Sequence, residues 1–463
     1  MLLSSEIALK VLTRAKERGA SFAELYIERD DRQVASILSS KVHQLTSGID
    51  FGIGVRLLFG SEVFYGYTNT PTLAELNELV DRLALQKGKT TSLSQPLNLK
   101  NPPAPSHVLA ALKKPSANLH APIEYMAMID KEVRKLGSNL SQVQIGLLNR
   151  FQEVEIFNSE GLHVIDQRPY LRFTVQAIVE SDGEQSTGYE GPGIMGQFED
   201  YQKKYDPKAL AEKVYKQAMA TLKAPYCPAG KMPVVMANAF GGVIFHEACG
   251  HLLETTSVQK KASVFHDKMG EMIASPVVNA VDEGLLPGMW GSVSFDDEGT
   301  PTQKTQLIKN GVLNSFLVDR VGSLKTGYTP TGSGRRQSYR FAPASRMRNT
   351  YIEAGKDQFS EMIASIDKGL YCASMGGGSV SPGTGEFNFA ATESYLIEKG
   401  KITHAVKGAT LIGTGPEVLK QISMVGSDLE LSAGMCGSVS GSIPTTVGQP
   451  ALKINEILVG GRA

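Results

Sequence analysis

The opening segment MLLSSEIALKVLTRAKERGA spaces its apolar residues three and four apart with charges between them, which predicts an amphipathic helix. The pattern then changes period. AELYIERD, QVASILSS, VHQLTS, FGIGVRLLFG and EVFYGYT alternate apolar and polar positions, with polar or glycine breaks between runs, and predict an antiparallel meander. Helical spacing returns from about Thr72 to Gln86. The following SLSQPLNLKNPPAPS is rich in prolines, which lack an amide donor and resist both helix and central strand, so residues 88–107 read as a connector.

A second block repeats the order of the first. A helical stretch from about Ile123 to Leu136 leads into strand-like QVQIGLLNR, QEVEIFNS, LHVIDQ and YLRFTVQAIVES. FGIGVRLL and YLRFTVQAIV hold similar places in the two blocks, as do FYGYT and STGYEG, which suggests a duplication. Another helix, Pro207 to Leu222, ends at APYCPAGKMP, a natural boundary. From about Lys231 the chain turns glycine-rich, with short strands and polar turns such as GGGSVSPGTG and GMCGSVSGS, and predicts a mostly β domain with functional loops. The expected class is α+β: a duplicated helix-plus-antiparallel-sheet N-terminal region followed by a mostly β C-terminal domain. The expected division is 1–87, a connector at 88–107, 108–225, and 226–463.

Composition narrows the function. At 463 residues the chain exceeds one ordinary core, since domains run roughly 100 to 200 residues. Lys plus Arg equals Asp plus Glu, 47 against 47, without a basic run, so the electrostatic footprint of a nucleic-acid binder is absent. No stretch reaches the roughly 18 consecutive apolar residues of a membrane span, and the start lacks the apolar core of a signal peptide. Four scattered cysteines, Cys227, Cys249, Cys372 and Cys436, make no disulfide framework and fit a reducing compartment, so the expected location is cytoplasmic.

The chemistry concentrates in VVMANAFGGVIFHEACGHLLETTS, where a strand breaks at Gly241 and Gly242 and a helical segment carries His246, Glu247 and His251. A catalytic zinc takes three protein ligands from His, Cys or carboxylate and keeps a place for water, whose proton a neighbouring Glu can accept. The familiar HExxH spacing puts both histidines on one helical face. Here the spacing is HExxxH, and in a regular helix the second ring points roughly 140° away from the first. A distorted helix is therefore expected, loosened at Gly250 or bulged. The alternative is a helix with two unrelated histidines. For a third ligand Cys436, in a Gly- and Ser-rich loop, competes with Glu254, Cys249, His266, Asp296 and Asp297; Cys249, between the two histidines, reads as a packing residue. GSGRRQSYRFAPASRMRNT carries Arg335, Arg336, Arg340, Arg346 and Arg348, either a grip on a substrate carboxylate or carbonyl or a solvated basic loop. No GxxxxGK[ST] is present, so nucleotide binding has no support. Trp290 and the DDEG at 296–299 read as closing a turn between strands.

FHEACGHLLE, SFDDEGTPT, PTGSGRRQSY, RMRNTYIEAG, YLIEKGKI, VKGATLIGTGPEVLKQISMVG and MCG with the later VGQPALKI resemble, in order and over most of 231–461, the TldD/PmbA family, once labelled modulators of DNA gyrase. The resemblance implies an active TldD-type zinc metallopeptidase. His246 and His251 match the family's metal-binding pair, Glu247 its catalytic Glu and Cys436 its third ligand. It also implies unfolded or leader-type peptides as substrates, held as extended strands in a chamber between two subunits, hence a homodimer or a heterodimer with a PmbA-type subunit. Arg335 and Arg336 match family positions and are the substrate-binding candidates. One departure stands out: the family pattern CGKxGQ is here Cys436-Gly437-Ser438-Val439-Ser440-Gly441, without the Lys and the Gln. The competing class is a non-catalytic peptide-binding or regulatory subunit of a TldD/PmbA-type complex.

Overall fold

The computed structural model describes residues 1–87, 114, 116 and 118–461; the connector expected at 88–107 lies outside them. The protein is α+β. Helix α1 (Ser5–Glu17) begins where the Ser4 hydroxyl accepts the Ile7 amide, and it buries Ala8, Val11, Leu12 and Ala15, the stripe that the spacing marks. Strands β1 (Phe22–Leu38), β2 (Lys41–Phe59) and β3 (Glu62–Thr68) and helix α2 (Leu73–Leu85), capped by Thr72, complete the first block. The second block has helix α3 (His120–Lys135), strands β4 (Leu140–Asn158), β5 (His163–Ser181), β6 (Glu184–Glu190) and β7 (Gly193–Met195), and helices α4 (Phe198–Lys204) and α5 (Pro207–Leu222).

The two blocks share one antiparallel sheet in the order β3-β2-β1-β4-β5-β6, with β7 also on β5. β1 and β4 join the halves, with Glu24 opposite Asn158 and Leu38 opposite Gln144. The strands are longer than the sequence reading has them: AELYIERD and QVASILSS lie on one strand, as do VHQLTS and FGIGVRLLFG. The polar residues taken as a break on β1, Asp31 and Arg32, are strand-interior positions with partners: Arg29 Nε donates to Asp31 and Arg32 Nη2 to Asp30, each at 2.9 Å. Arg150 Nε donates to Asp30 at 2.8 Å, and Gln152 Nε2 to Glu28 at 2.8 Å.

Period two explains how these charges are covered. Along β1, Leu25 and Ile27 pack with α1 and α2, while Glu24, Tyr26, Glu28 and Asp30 face the other way and are buried too. The chain from 230 onward lies against that second face. Arg56 Nη2 donates to Glu24 and its Nη1 to Glu298; Arg336 Nη2 donates to Glu24 and to the Asp297 carbonyl; Arg168 Nη1 donates to Asp297 at 2.7 Å. The DDEG turn is thus a docking element: Asp296 accepts three backbone amides, and Asp297 and Glu298 reach into the sheet.

The C-terminal region is strand-rich, as expected, and among the described residues has two large sheets and a two-strand pair, 334–335 with 344–345. One has six strands in the order 312–313, 304–309, 280–283, 349–352, 441–449 and 430–438, which leaves Glu430–Ser438 at an edge. In the other, β8 (Gly230–Met236) joins 368–380, 452–460, 410–414 and 386–398; pairing of 368–380 with 386–398 closes these five into a ring. A single apolar cluster spans both sheets, and HEACGH runs through it. Among the described residues no helix is long and apolar enough to cross a membrane.

Burial pushes the Glu28 carboxyl up to about 7 from 4.5, against the pull of Arg150. A carboxyl raised in the folded state favours folding most fully below its unfolded value, and that contribution is lost as pH rises through the folded value. Glu28→Gln should therefore flatten the part of the stability decline that falls between about 4.5 and 7. Melting temperatures of both proteins across that window check this; parallel profiles would rule it out.

Candidate metal centre

β8 leads into a 3-10 turn, Ala239–Gly242, and then into helix α6 (Val243–Ala248), which carries His246 and Glu247. The entry is tight because a Cβ at Gly242 would sit 2.5 Å from the backbone of Gly448, so α6 leans directly on strand 441–449. α6 ends at Ala248. Cys249 adopts φ −135°, ψ −53°, and Gly250–Leu253 forms a second 3-10 turn bearing His251. The helix is distorted as the HExxxH spacing requires, by a break and a tighter turn rather than a bulge. Ile244, Phe245, Ala248, Cys249, Leu252 and Leu253 anchor the segment in the apolar cluster, and burial pushes the Cys249 thiol upward.

The break brings the two rings together, with centroids 4.9 Å apart and planes at 84°. Strand 430–438 supplies Cys436 between them. Its Sγ lies 3.2 Å from His246 Nε2 and 3.3 Å from His251 Nε2. All three ligand atoms lie within 4.8 Å of one another. Donors on one tetrahedral zinc sit roughly 3.3 to 3.8 Å apart, given bond lengths of about 2.0–2.3 Å, and the two sulfur–nitrogen distances are close to that spacing. Glu247 Oε2 is 3.8 Å from His251 Nε2, beside the same point.

The electrostatics suit a ligand set. Burial opposes ionisation of Cys436, but the charges of His246 and His251 and their hydrogen bonds hold its thiol well below the usual range. Burial lowers and Glu254 and Cys436 raise His251, leaving its imidazole well above its ordinary value. Glu247 is raised, burial outweighing the two histidines.

The rivals for third ligand are occupied elsewhere. Glu254 Oε2 lies 3.1 Å from His251 Nδ1, behind the ring rather than in front of it. His266 Nδ1 pairs with the Ser263 carbonyl, and Asp296 and Asp297 belong to the docking turn. Two arginines of the GSGRRQSYRF loop lie deep. Arg335 and Arg336, expected at the substrate, are each 2% exposed. Arg335 Nη1 donates to the Met347 and Pro444 carbonyls, and Arg336 grips Glu24 and Asp297 under Tyr26. None of these partners belongs to the His246, His251 and Cys436 group. The loop is not a solvated one: of the five arginines only Arg340 is exposed, paired with Asp50. Trp290, taken as a turn residue, donates from Nε1 to the Gly434 carbonyl two residues before Cys436, and so braces the strand that carries it.

Models of the PmbA/TldA metallopeptidase match along the chain, domain 1 over residues 23–86, the central domain over 113–222 and the C-terminal domain over 229–461. The chain is 36% identical to the metalloprotease TldD homolog of Haemophilus influenzae, over 99% of this chain and 97% of that one. It is 27% identical to the zinc metalloprotease TldD homolog of Saccharolobus solfataricus, over 98% and 99%. Among solved structures, TldE from Thermococcus kodakarensis superposes with a TM-score of 0.77 at 19% identity, covering 98% of this chain and all of that one. A protein from Thermotoga maritima described as a modulator of a DNA gyrase does so with 0.77 at 20%, over 98% and 99%. The chain belongs to the PmbA/TldD family of metallopeptidases.

The close approach at Gly242 generates a stability prediction. Gly242→Ala must push α6 off strand 441–449 and should cost about 1–3 kcal/mol, read from the denaturant midpoint. Gly250→Ala meets only the end of the Met347 side chain, which can swing away, and should cost less. Equal midpoints for Gly242→Ala and the unaltered protein would show that the contact does not constrain the helix.

Proposed function

We propose that this protein is a zinc-dependent peptidase that hydrolyses unfolded or extended peptides, with His246, His251 and Cys436 as metal ligands and Glu247 as general base. The observation that carries the reading is the buried trio of donors within 4.8 Å, with the Glu247 carboxylate beside it. Zinc, when bound, supplies a Lewis acid and brings the pKa of water to about 7. Glu247 takes the proton of the attacking water on a carboxylate oxygen and delivers it to the leaving amine as the peptide bond breaks. Its raised proton affinity suits both halves of that transfer. His251 is fixed by Glu254 with Nε2 toward the ligands, and Cys436 enters as thiolate.

Extended peptides fit the surroundings. Beside the site, without reaching the three donors or Glu247, a cavity of about 410 Å³ is lined by Phe240 and Gly241 just before α6, by Ser374 to Gly377, by Ser432 and Ala433 on the strand that carries Cys436, and by charged Arg172, Glu190, Lys213 and Glu430. A lining rich in main chain and small residues suits a substrate read through its backbone. Likeness to TldE supports a second, PmbA-type subunit as partner, with a homodimer as the other arrangement. Four buried free cysteines favour a cytoplasmic setting. Arg335 and Arg336 hold the fold together behind the site.

Elemental analysis should find near one zinc per chain, lost in His246→Ala and Cys436→Ser. Glu247→Gln should keep the zinc and abolish cleavage of an unfolded peptide. Full activity in metal-replete Glu247→Gln would sink the role of Glu247. Absence of zinc after dialysis against it would favour a subunit that binds peptides without cutting them.

A further inference from the structure

Behind the three ligands lies a pair of residues, of which the mechanism uses only Glu254, to aim His251. Glu254 follows the second 3-10 turn, is 3% exposed, and places Oε2 3.1 Å from His251 Nδ1. Its other oxygen, Oε1, is buried without a hydrogen-bond partner. Facing that oxygen at 3.9 Å is Arg346 Nε, also buried without a partner. Arg346 is fully buried and spends its other nitrogens on the Cys436 hairpin: Nη2 donates to the Cys436 carbonyl, and Nη1 to Ser440 Oγ at 2.9 Å and the Gly441 carbonyl at 2.8 Å. One carboxylate thus holds a histidine, one guanidinium holds the cysteine strand, and their two unsatisfied atoms face each other across a gap that a shift of about 1 Å would close into a hydrogen bond.

We propose that Glu254 and Arg346 act as one positioning couple for the metal centre. Glu254 fixes the tautomer and aim of His251, Arg346 fixes the depth of Cys436, and the link between them sets the distance between two ligands that arrive on separate elements. The proposal rests on the metal-centre reading above. A buried charge with one unsatisfied atom is costly, so closing the gap when the ligands draw together stabilises the loaded form over the empty one. A partner carboxylate behind a ligating histidine is worth about 10- to 100-fold in metal affinity.

The test uses full-length protein stripped of metal and titrated with Zn2+ against a chelator, then with Co2+, whose visible spectrum reports ligand geometry. Glu254→Ala and Arg346→Ala should each weaken Zn2+ binding about 10- to 100-fold and shift the Co2+ bands, with Glu254→Gln, which keeps an acceptor at the same volume, falling between. The double variant should lose less than the product of the single losses, because each removes the same link. If Arg346→Ala does not fold, Glu254→Gln and Arg346→Lys carry the comparison. Unchanged affinity and an unchanged Co2+ spectrum in the Glu254 variants, alongside loss of binding in His246→Ala, would overturn the couple while leaving the metal centre standing. A wild type that binds neither ion would overturn both.

Discussion

The arrangement depends on a set of charges buried between the N-terminal sheet and the C-terminal region. Arg56, Arg168 and Arg336 meet Glu24, Asp297 and Glu298 with almost no access to solvent. Moving such ions out of water is expensive, and the cost is met only when geometry and hydrogen bonding are near complete. Removing one partner leaves the other stranded, a loss of about 3–5 kcal/mol. An apolar interface would tolerate sliding; this one does not, because each guanidinium divides its nitrogens between partners on different segments, which can all be met in one registry only. The DDEG turn is held in that registry, and through Arg335 and Arg336 so is the segment leading to Arg346 and the Cys436 hairpin.

This explains which parts of the molecule were legible in the sequence. Helices α1, α2 and α5 carry one apolar stripe each, and their limits follow from spacing and caps at Ser4, Thr72 and Asp206. The strands were legible in kind but not in length. In the sequence pattern one strand ends at Asp30 and the next begins at Gln33, with Asp31-Arg32 as a polar break, whereas one strand runs through them and its charged face meets another part of the chain. Nothing local distinguishes a charge destined for water from one destined for a partner 300 residues away, such as Glu24 for Arg336.

The candidate site divides in the same way. His246, Glu247 and His251 stand in one short motif, and even the helix distortion follows from their spacing, since a regular helix could not aim both rings at one point. Cys436 came from resemblance; spacing left it among rivals. Glu254 was noticed as a possible ligand and stands one layer back, a difference that depends on which side of the His251 ring it occupies. Arg346 was one of five arginines, and only its depth separates it from Arg340.

The departure from the family pattern after Cys436 acquires a physical sense here. Val439 and Ser440 form the two-residue tip joining strands 430–438 and 441–449, with Ser438 opposite Gly441. Val439 is exposed, but Ser440 is fully buried: its Oγ receives Arg346, and its carbonyl receives the Gln337 amide at 2.8 Å. Gln337 Oε1 in turn accepts the Ser442 amide at 2.7 Å. Gly441 at φ 87° allows the tight turn and leaves room for Gln337. The hairpin tip is thus clamped, through its own Ser440 and Ser442, by Arg346 and Gln337 of the arginine-bearing loop. Ser440 and Gly441, two of the positions that depart from the family pattern, receive Arg346 and belong to the clamp on the strand that carries Cys436.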